Sequence, residues 1–329
     1  CEHMIKYDVK KGRTMKKIGI RILLILGILL VIAGIVYACY GIYKKATLNI
    51  QNPVATIEVE NFGTIKVELY PDKAPNTVAN FIRLANRGFY NGTTFHRTMP
   101  NFVIQGGARN GDAAASPLLS NIYDLDDVLN NKNLFEEILN EFYDGEYTNS
   151  NVTITSYGQA KDLIKKDESA KSNFDSFLEV EYNIPGEFIA NGDEANNIKH
   201  EKGVISMARS DYSSWGYLEE GYNSAGCQFF IMSDDNTQLD GLYAPFGKVI
   251  EGLDVVDKIA NVEVYYRDTE VDEDYEIPED EDGNQISSDT PKEQPVITSI
   301  TVETYGVDYG APDVVKTFDL NSLFSGLSY

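Results

Sequence analysis

Phe95-His96-Arg97-Thr98-Met99-Pro100-Asn101-Phe102-Val103-Ile104-Gln105-Gly106-Gly107 brings one guanidinium, two phenylalanines, the Gln105 carboxamide and a glycine pair into thirteen residues. With the two-residue period of a strand, 94–105 forms two short strands around Pro100, and alternation sets Arg97 and selected neighbours on one face. A second cluster, Gln228-Phe229-Phe230-Ile231, is followed by Leu239-Asp240-Gly241 and Phe246-Gly247.

Outward from this stretch, 55–70 alternates strongly. Ile57 and Val59 precede a break at Asn61-Phe62-Gly63, and Ile65, Val67 and Leu69 follow it, which predicts a β-hairpin with one buried face. Pro75 suits a first helical position and Gly88 a C-terminal cap, with Val78, Phe81, Ile82 and Ala85 on one apolar helical face between them. Residues 204–208, 228–232, 244–250 and 296–304 read as further strands, and 253–261 as a second helix. Many short strands with two helices predict a mainly-β fold, a closed antiparallel barrel with helical lids. Two stretches depart from a plain barrel. Residues 108–182 carry helical patterns at 125–142 and 160–166, as expected of an inserted helical subdomain. Residues 267–293 are rich in Asp and Glu and read as a solvated loop. An EF-hand register on Asp280, Asp282 and Gly283 places Pro278 at the first ligand position and fails.

On these residues the sequence resembles the cyclophilin family. The likeness covers 55–107 and 203–262 and resumes at 295–302, and the F-H-R-x-x-x-x-F-x-x-Q-G-G pattern is highly specific. The resemblance implies an eight-stranded antiparallel β-barrel capped by two helices, and cis/trans isomerisation of X-Pro peptide bonds without a cofactor. It implies that Arg97 donates a hydrogen bond to the prolyl nitrogen, and that Phe102, Val103, Phe230 and Leu239 line the pocket for the proline ring. Gln105 would bond the substrate backbone or orient Arg97, and Gln228 would contact the substrate. Ala208 and the Arg209 backbone would pair with the residue before proline, and Tyr243 would stand at the pocket edge. Phe95, Phe229 and Cys227 read as core, and His96 as a structural neighbour of Arg97.

Four positions depart from the family pattern. Gln238 stands where many members carry Trp, which implies reduced cyclosporin sensitivity; Tyr243 replaces a common His, Val103 a common Met and Arg209 a common Asn. The 209–226 segment is longer than usual and holds Trp215, Tyr212, Tyr217 and Tyr222; it borders the groove in one reading and is a packed surface loop in the other.

The 329-residue chain has a net charge of -23, divided unevenly. Residues 1–45 hold nine basic and two acidic residues, a net of +7; the remainder holds 19 basic and 49 acidic, a net of -30. An acidic body repels phosphates and argues against nucleic acid. Three histidines and three cysteines, Cys1, Cys39 and Cys227, offer no multi-histidine metal centre, zinc spacing or disulfide framework, and no G-x-S-x-G elbow is present. Residues 22–43 are uncharged, long enough as a helix (about 33 Å) to span a bilayer core. Lys6, Lys10, Lys11, Arg13, Lys16, Lys17 and Arg21 lie before or at the edge of this run and only Lys44 and Lys45 directly after it, so the positive-inside bias sets the body outside the membrane. Met4 and Met15 are both candidate starts. The segment reads as an uncleaved signal anchor or as a processed signal, with Val36-Tyr37-Ala38-Cys39 a loose lipobox because Tyr37 is bulky. The expected organisation is a basic stub at 1–17, a membrane helix at 18–43, a linker at 44–53, an isomerase domain at 54–305 and an extension at 306–329. The expected protein is a monomeric, single-pass membrane foldase acting on proline-containing peptides and unfolded exported proteins. The rival is a membrane-tethered proline-peptide binding module with little catalysis.

Overall fold

Alternation decides the first hairpin. In β1 (Val54–Val59) and β2 (Gly63–Leu69) every second side chain points inward, burying Ala55, Ile57, Val59, Ile65, Val67 and Leu69. Asn61 and Gly63, with φ of 62° and 118°, make the turn. The computed structural model describes residues 51–109, 115–149, 152–267, 275–280 and 283–320. The strands that follow in chain order are β3 (Phe95–Thr98), β4 (Val103–Gly106), β5 (Tyr147–Asn149), β6 (Val152–Ile154), β7 (Tyr182–Asn183) and β8 (Val204–Met207). Then come β9 (Phe229–Met232), β10 (Ala244–Glu251), β11 (Ile297–Glu303) and β12 (Val315–Lys316).

Eight of these form one curled antiparallel sheet in the order β11-β1-β2-β10-β8-β9-β4-β3. The closed barrel expected from the sequence is corrected here: the ladder is open, with β3 and β11 as its two ends. A single bridge, Thr94 to Val296, links them, with backbone hydrogen bonds from Phe95 to Pro295 and from Ile297 to Thr93. The seam stays short because Pro295 has no N–H to give and β3, only four residues long, leaves it at once, its Thr98 N–H going to Asp289 instead.

Two helices cover the sheet. Helix α1 (Pro75–Asn86) turns Val78, Phe81, Ile82, Leu84 and Ala85 into the core and begins with proline at its first turn. Its N-cap, Ala74, has no side chain to offer the free N–H groups. Glu187 takes that role from 110 residues away, accepting from the Asn76 and Thr77 amides at 2.9 and 2.7 Å and from the Thr77 hydroxyl at 2.6 Å. Four further helices follow: α2 (Leu125–Asn130), α3 (Lys132–Tyr143), α4 (Tyr157–Lys166) and α5 (Leu218–Tyr222); α6 (Leu253–Ala260) is the second covering helix.

The helical pattern read at 125–142 is broken in the structure. Asn131 is extended, and its side chain accepts from the Leu134 amide, so it ends α2 and caps α3. The insertion also contains the β5–β6 hairpin. Its aromatic side chains stack on one another, Phe135 on Phe177 at 4.9 Å and Tyr143 on Phe177 at 5.2 Å. This cluster is continuous with the core under the sheet. After β11 the chain returns over the insertion: β12 pairs with β7, Asp313 exchanges hydrogen bonds with Asn76, and Phe318 packs on Tyr212 and Tyr217. The apolar segment 18–43 lies outside the described residues; among those described, no helix is long and apolar enough to cross a membrane.

A buried polar chain joins insertion, helix and sheet. The Tyr182 hydroxyl donates to Asn80 Oδ1 at 2.7 Å, and Asn80 Nδ2 donates to the Gly226 carbonyl at 2.7 Å. Asn80 is fully buried. Asn80→Ala leaves both partners unsatisfied in a dry site, and is expected to lower the unfolding free energy by about 3 kcal/mol, read as a reduced urea midpoint at an unchanged slope.

Candidate active site

One irregularity aims the arginine. Phe95 pairs with Gly106 and Arg97 pairs with Gln105, so two residues separate the pairs on β3 and one on β4. His96 is the extra residue of a β-bulge. In a regular strand Phe95 and Arg97 would share a face. With the bulge, Phe95 points into the core, fully buried, while Arg97 joins the outer face beside Gln105. Gly106 makes room for this: a Cβ there would lie 2.8 Å from the Thr94 carbonyl and 2.9 Å from the Phe95 ring.

On that outer face the register sets a row across four strands, Arg97, Gln105, Phe230 and Ser206. Beside the row a second apolar cluster, separate from the main core, is formed by Val103, Val204, Phe230 and Met232. Phe102, Ala208, Leu239 and Tyr243 pack against it partly exposed, so an apolar patch reaches the surface there. Phe102 sits at the tip of the β3–β4 turn, where Asn101 takes a φ of 59°. Ser233 holds this turn, accepting from the Phe102 amide at 2.9 Å and donating to the Met99 carbonyl at 3.2 Å. Arg97 is half-buried, its Nη2 lies 3.2 Å from Met99 Sδ, and no carboxylate pairs with it among the described residues. Gln105 Nε2 donates to Gln228 Oε1 at 3.1 Å. Thus the polar side chain paired with Gln105 is Gln228, and its tie to Arg97 is through strand register.

The pocket floor contains a residue that sequence reasoning passed over. The His200 ring, fully buried, stacks behind Phe230 at 6.0 Å, with Nε2 3.2 Å from Ser206 Oγ and Nδ1 3.4 Å from Asp240. Burial lowers its pKa from the ordinary 6.5, against the hydrogen bond to Asp240 that raises it. Burial also lowers that of His96. Met232 was likewise missed, although it lies two residues from Phe230 and so shares its face; Ser233 carried no signal at all.

The rim departs from expectation at Arg209. Its guanidinium carbon lies 4.7 Å from the Tyr243 ring centre, 5.0 Å from Tyr222 and 5.6 Å from Phe188, while Nε donates to the Leu242 carbonyl at 2.9 Å. The Ala208 amide is already donated to the Gln228 carbonyl. A cavity of about 100 Å³ opens beside the row, lined by Gln105, Gln228, Ala208, Ser210, Ser224 and, from the insertion, Ser116. Both ends of the 209–226 segment therefore reach the groove. The loop read as solvated is partly anchored: Asp289 is buried, accepts from Arg267 Nη1 at 2.9 Å, and with it holds the Thr98 amide and carbonyl beside Arg97. Cys227 is buried, its thiol pushed up to about 12 by desolvation, and acts as core. Among the described residues no cluster of His, Cys, Asp or Glu is placed to hold a metal.

On the outer face of a curled antiparallel sheet, then, an apolar patch lies beside a guanidinium that has no carboxylate partner among the described residues. Comparison with known proteins assigns the family. The family model for cyclophilin type peptidyl-prolyl cis-trans isomerases matches residues 54–301. The chain is 28% identical over 206 residues to peptidyl-prolyl cis-trans isomerase B of Bacillus subtilis, covering 63% of this chain and 90% of that one. It is 31% identical over 207 residues to a peptidyl-prolyl cis-trans isomerase of Acinetobacter baylyi, covering 61% of this chain and 69% of that one. A solved cyclophilin type isomerase from Cryptosporidium parvum aligns with a TM-score of 0.42 and 20% identity over 76% of this chain and 96% of that one. The chain belongs to the cyclophilin type peptidyl-prolyl cis-trans isomerase family, and it is an isomerase of X-Pro peptide bonds.

The depressed His200 value makes stability pH-dependent. As pH falls, the unfolded chain takes up the proton first, so the contribution of neutral His200 is complete above about pH 6.5 and is lost below it, toward the lowered folded-state value. Urea unfolding is expected to show stability declining from about pH 7 to pH 5, and His200→Gln to reduce that slope, with His96 retaining its share. Equal slopes in parent and variant would contradict this role.

Proposed function

We propose that Arg97 is the donor that accelerates rotation. The X-Pro bond resists rotation by about 18–20 kcal/mol because the amide is conjugated. At the twisted transition state conjugation is lost, and the prolyl nitrogen becomes a better hydrogen-bond acceptor. A guanidinium that meets this nitrogen stabilises the twisted state more than either planar isomer, as catalysis requires. Phe102, Val103, Phe230 and Leu239 hold the proline ring, with Tyr243 at the edge. Gln105, oriented by Gln228, meets the substrate backbone, and the Ala208 carbonyl and Arg209 backbone meet the residue before proline. The observation that carries this reading is the bulge-set row that puts an arginine with no carboxylate partner among the described residues beside the second apolar cluster.

The substrates we propose are proline-containing segments of unfolded exported proteins, met by a monomer on the outer side of a membrane. The uncharged 22–43 run with cations before it, and the net charge of -30 on the remainder, support that placement. Protease added outside intact cells is expected to digest the acidic body and spare the basic stub; a fully protected body would overturn the topology.

A prolyl isomerisation assay on the full chain tests the chemistry. Arg97→Ala is expected to lower kcat/KM by about 10²–10³-fold, the scale for removing one oriented donor, while affinity for an X-Pro peptide changes little. Equal rates for parent and variant would sink the Arg97 mechanism. An inactive parent that binds the peptide would favour a tethered binding module.

A further inference from the structure

Two dipeptides at the rim are built alike. Phe188-Ile189 and Leu242-Tyr243 each send an aromatic ring onto the Arg209 guanidinium, at 5.6 and 4.7 Å. Each leaves its aliphatic neighbour in solvent, Ile189 at 45% and Leu242 at 39% exposure. Ile189 and Leu242 flank Gly241: a Cβ on that glycine would stand 3.3 Å from Ile189 Cβ. The backbone beneath them is pinned. Ala190 donates to the Gly241 carbonyl, Leu242 to that of Leu239, and Gly192 to that of Ile189. Leu242 is one residue from Tyr243, which packs edge-on against Phe230 at 5.5 Å, and its amide bonds the carbonyl of Leu239, which packs on the same cluster.

Large aliphatic side chains on a rigid mount, continuous with a ligand pocket, have little reason to stay exposed except to meet what the pocket binds. We propose that Ile189 and Leu242 form a shelf that receives an apolar side chain of the substrate, on a residue flanking the proline, and so give the isomerase a preference for hydrophobic client segments. The occupant is the peptide proposed above for the proline site, because Leu242 stands between Leu239 and Tyr243, both of which pack on the second apolar cluster. Arg209 is the positioning residue that holds both halves. This inference rests on the isomerase groove described above and adds its substrate class.

The test uses the full chain in detergent and peptides of one X-Pro core, with Leu or Asn at each of the two positions on either side. At one flanking position the parent is expected to favour Leu over Asn in kcat/KM by about fivefold, as partial burial of one aliphatic side chain allows. Ile189→Asn and Leu242→Asn are each expected to reduce that ratio to below about twofold while leaving kcat/KM for the Asn peptide unchanged. Binding of the same peptides, labelled and read by fluorescence anisotropy, separates the two readings. An inactive parent that still binds the Leu peptide more tightly through Ile189 and Leu242 keeps the shelf and rejects the isomerase chemistry. A parent indifferent to Leu at every position, or variants that keep the preference, overturns the shelf.

Discussion

Everything at the groove depends on the extra residue at His96. A strand alternates strictly, so Phe95 and Arg97 have the same parity and cannot serve core and groove together without a break in the ladder. The bulge supplies that break, and Gly106 permits it by letting the Phe95 ring and the Thr94 carbonyl approach where a side chain would collide. The Arg267–Asp289 pair then holds both backbone groups of Thr98, so β3 is fixed one residue beyond the arginine. A guanidinium on a flexible stem is thereby mounted on a short edge strand whose position is over-determined. Catalysis by a single donor needs that arrangement, since a misplaced donor stabilises nothing.

The same alternation makes β8 and β9 buried on both faces. Ile205, Met207, Phe229 and Ile231 face the main core, while Val204, Phe230 and Met232 face the pocket. The main core and the second apolar cluster are thus two sides of one backbone, and a shift in the core moves that cluster with it. His200 behind Phe230 carries this a layer further, because its ring is held by Ser206 of the neighbouring strand and by Asp240 of the rim turn.

Much of this was legible before any coordinates. The first hairpin shows because one face is wholly apolar; Arg97 and Gln105 fall in one specific motif and Phe230 in a second cluster, and strand register sets the three in one row. The insertion's helices show in outline, but Asn131 falls inside an unbroken apolar rhythm, and only its extended backbone reveals it as a cap. The β5–β6 hairpin has strands of three residues, too short for a period to emerge. The bulge was hidden because Phe95 and Arg97 look equally well placed in a regular strand. The open seam was hidden because closure depends on how long β3 stays beside β11. The Arg209 site was hidden for a different reason: Phe188, Tyr222 and Tyr243 come from three segments, and no local pattern joins them.

That site bears on what the insertion is for. Tyr182 at its downstream end bonds Asn80 of α1, and just beyond it Glu187 caps the same helix and Phe188 lies on Arg209. A lysine could not replace the arginine there, because a compact ammonium has no plane to lay against several rings while donating in-plane to the Leu242 carbonyl. Arg209 also follows Ala208, which closes one side of the pocket. The guanidinium therefore couples the end of the insertion, the long 209–226 segment and the Tyr243 edge into one rigid rim. Ser116 of the insertion also lines the cavity beside Gln105 and Gln228, so the insertion meets the row directly, and the chain beyond its far end runs into the rim that Arg209 holds together.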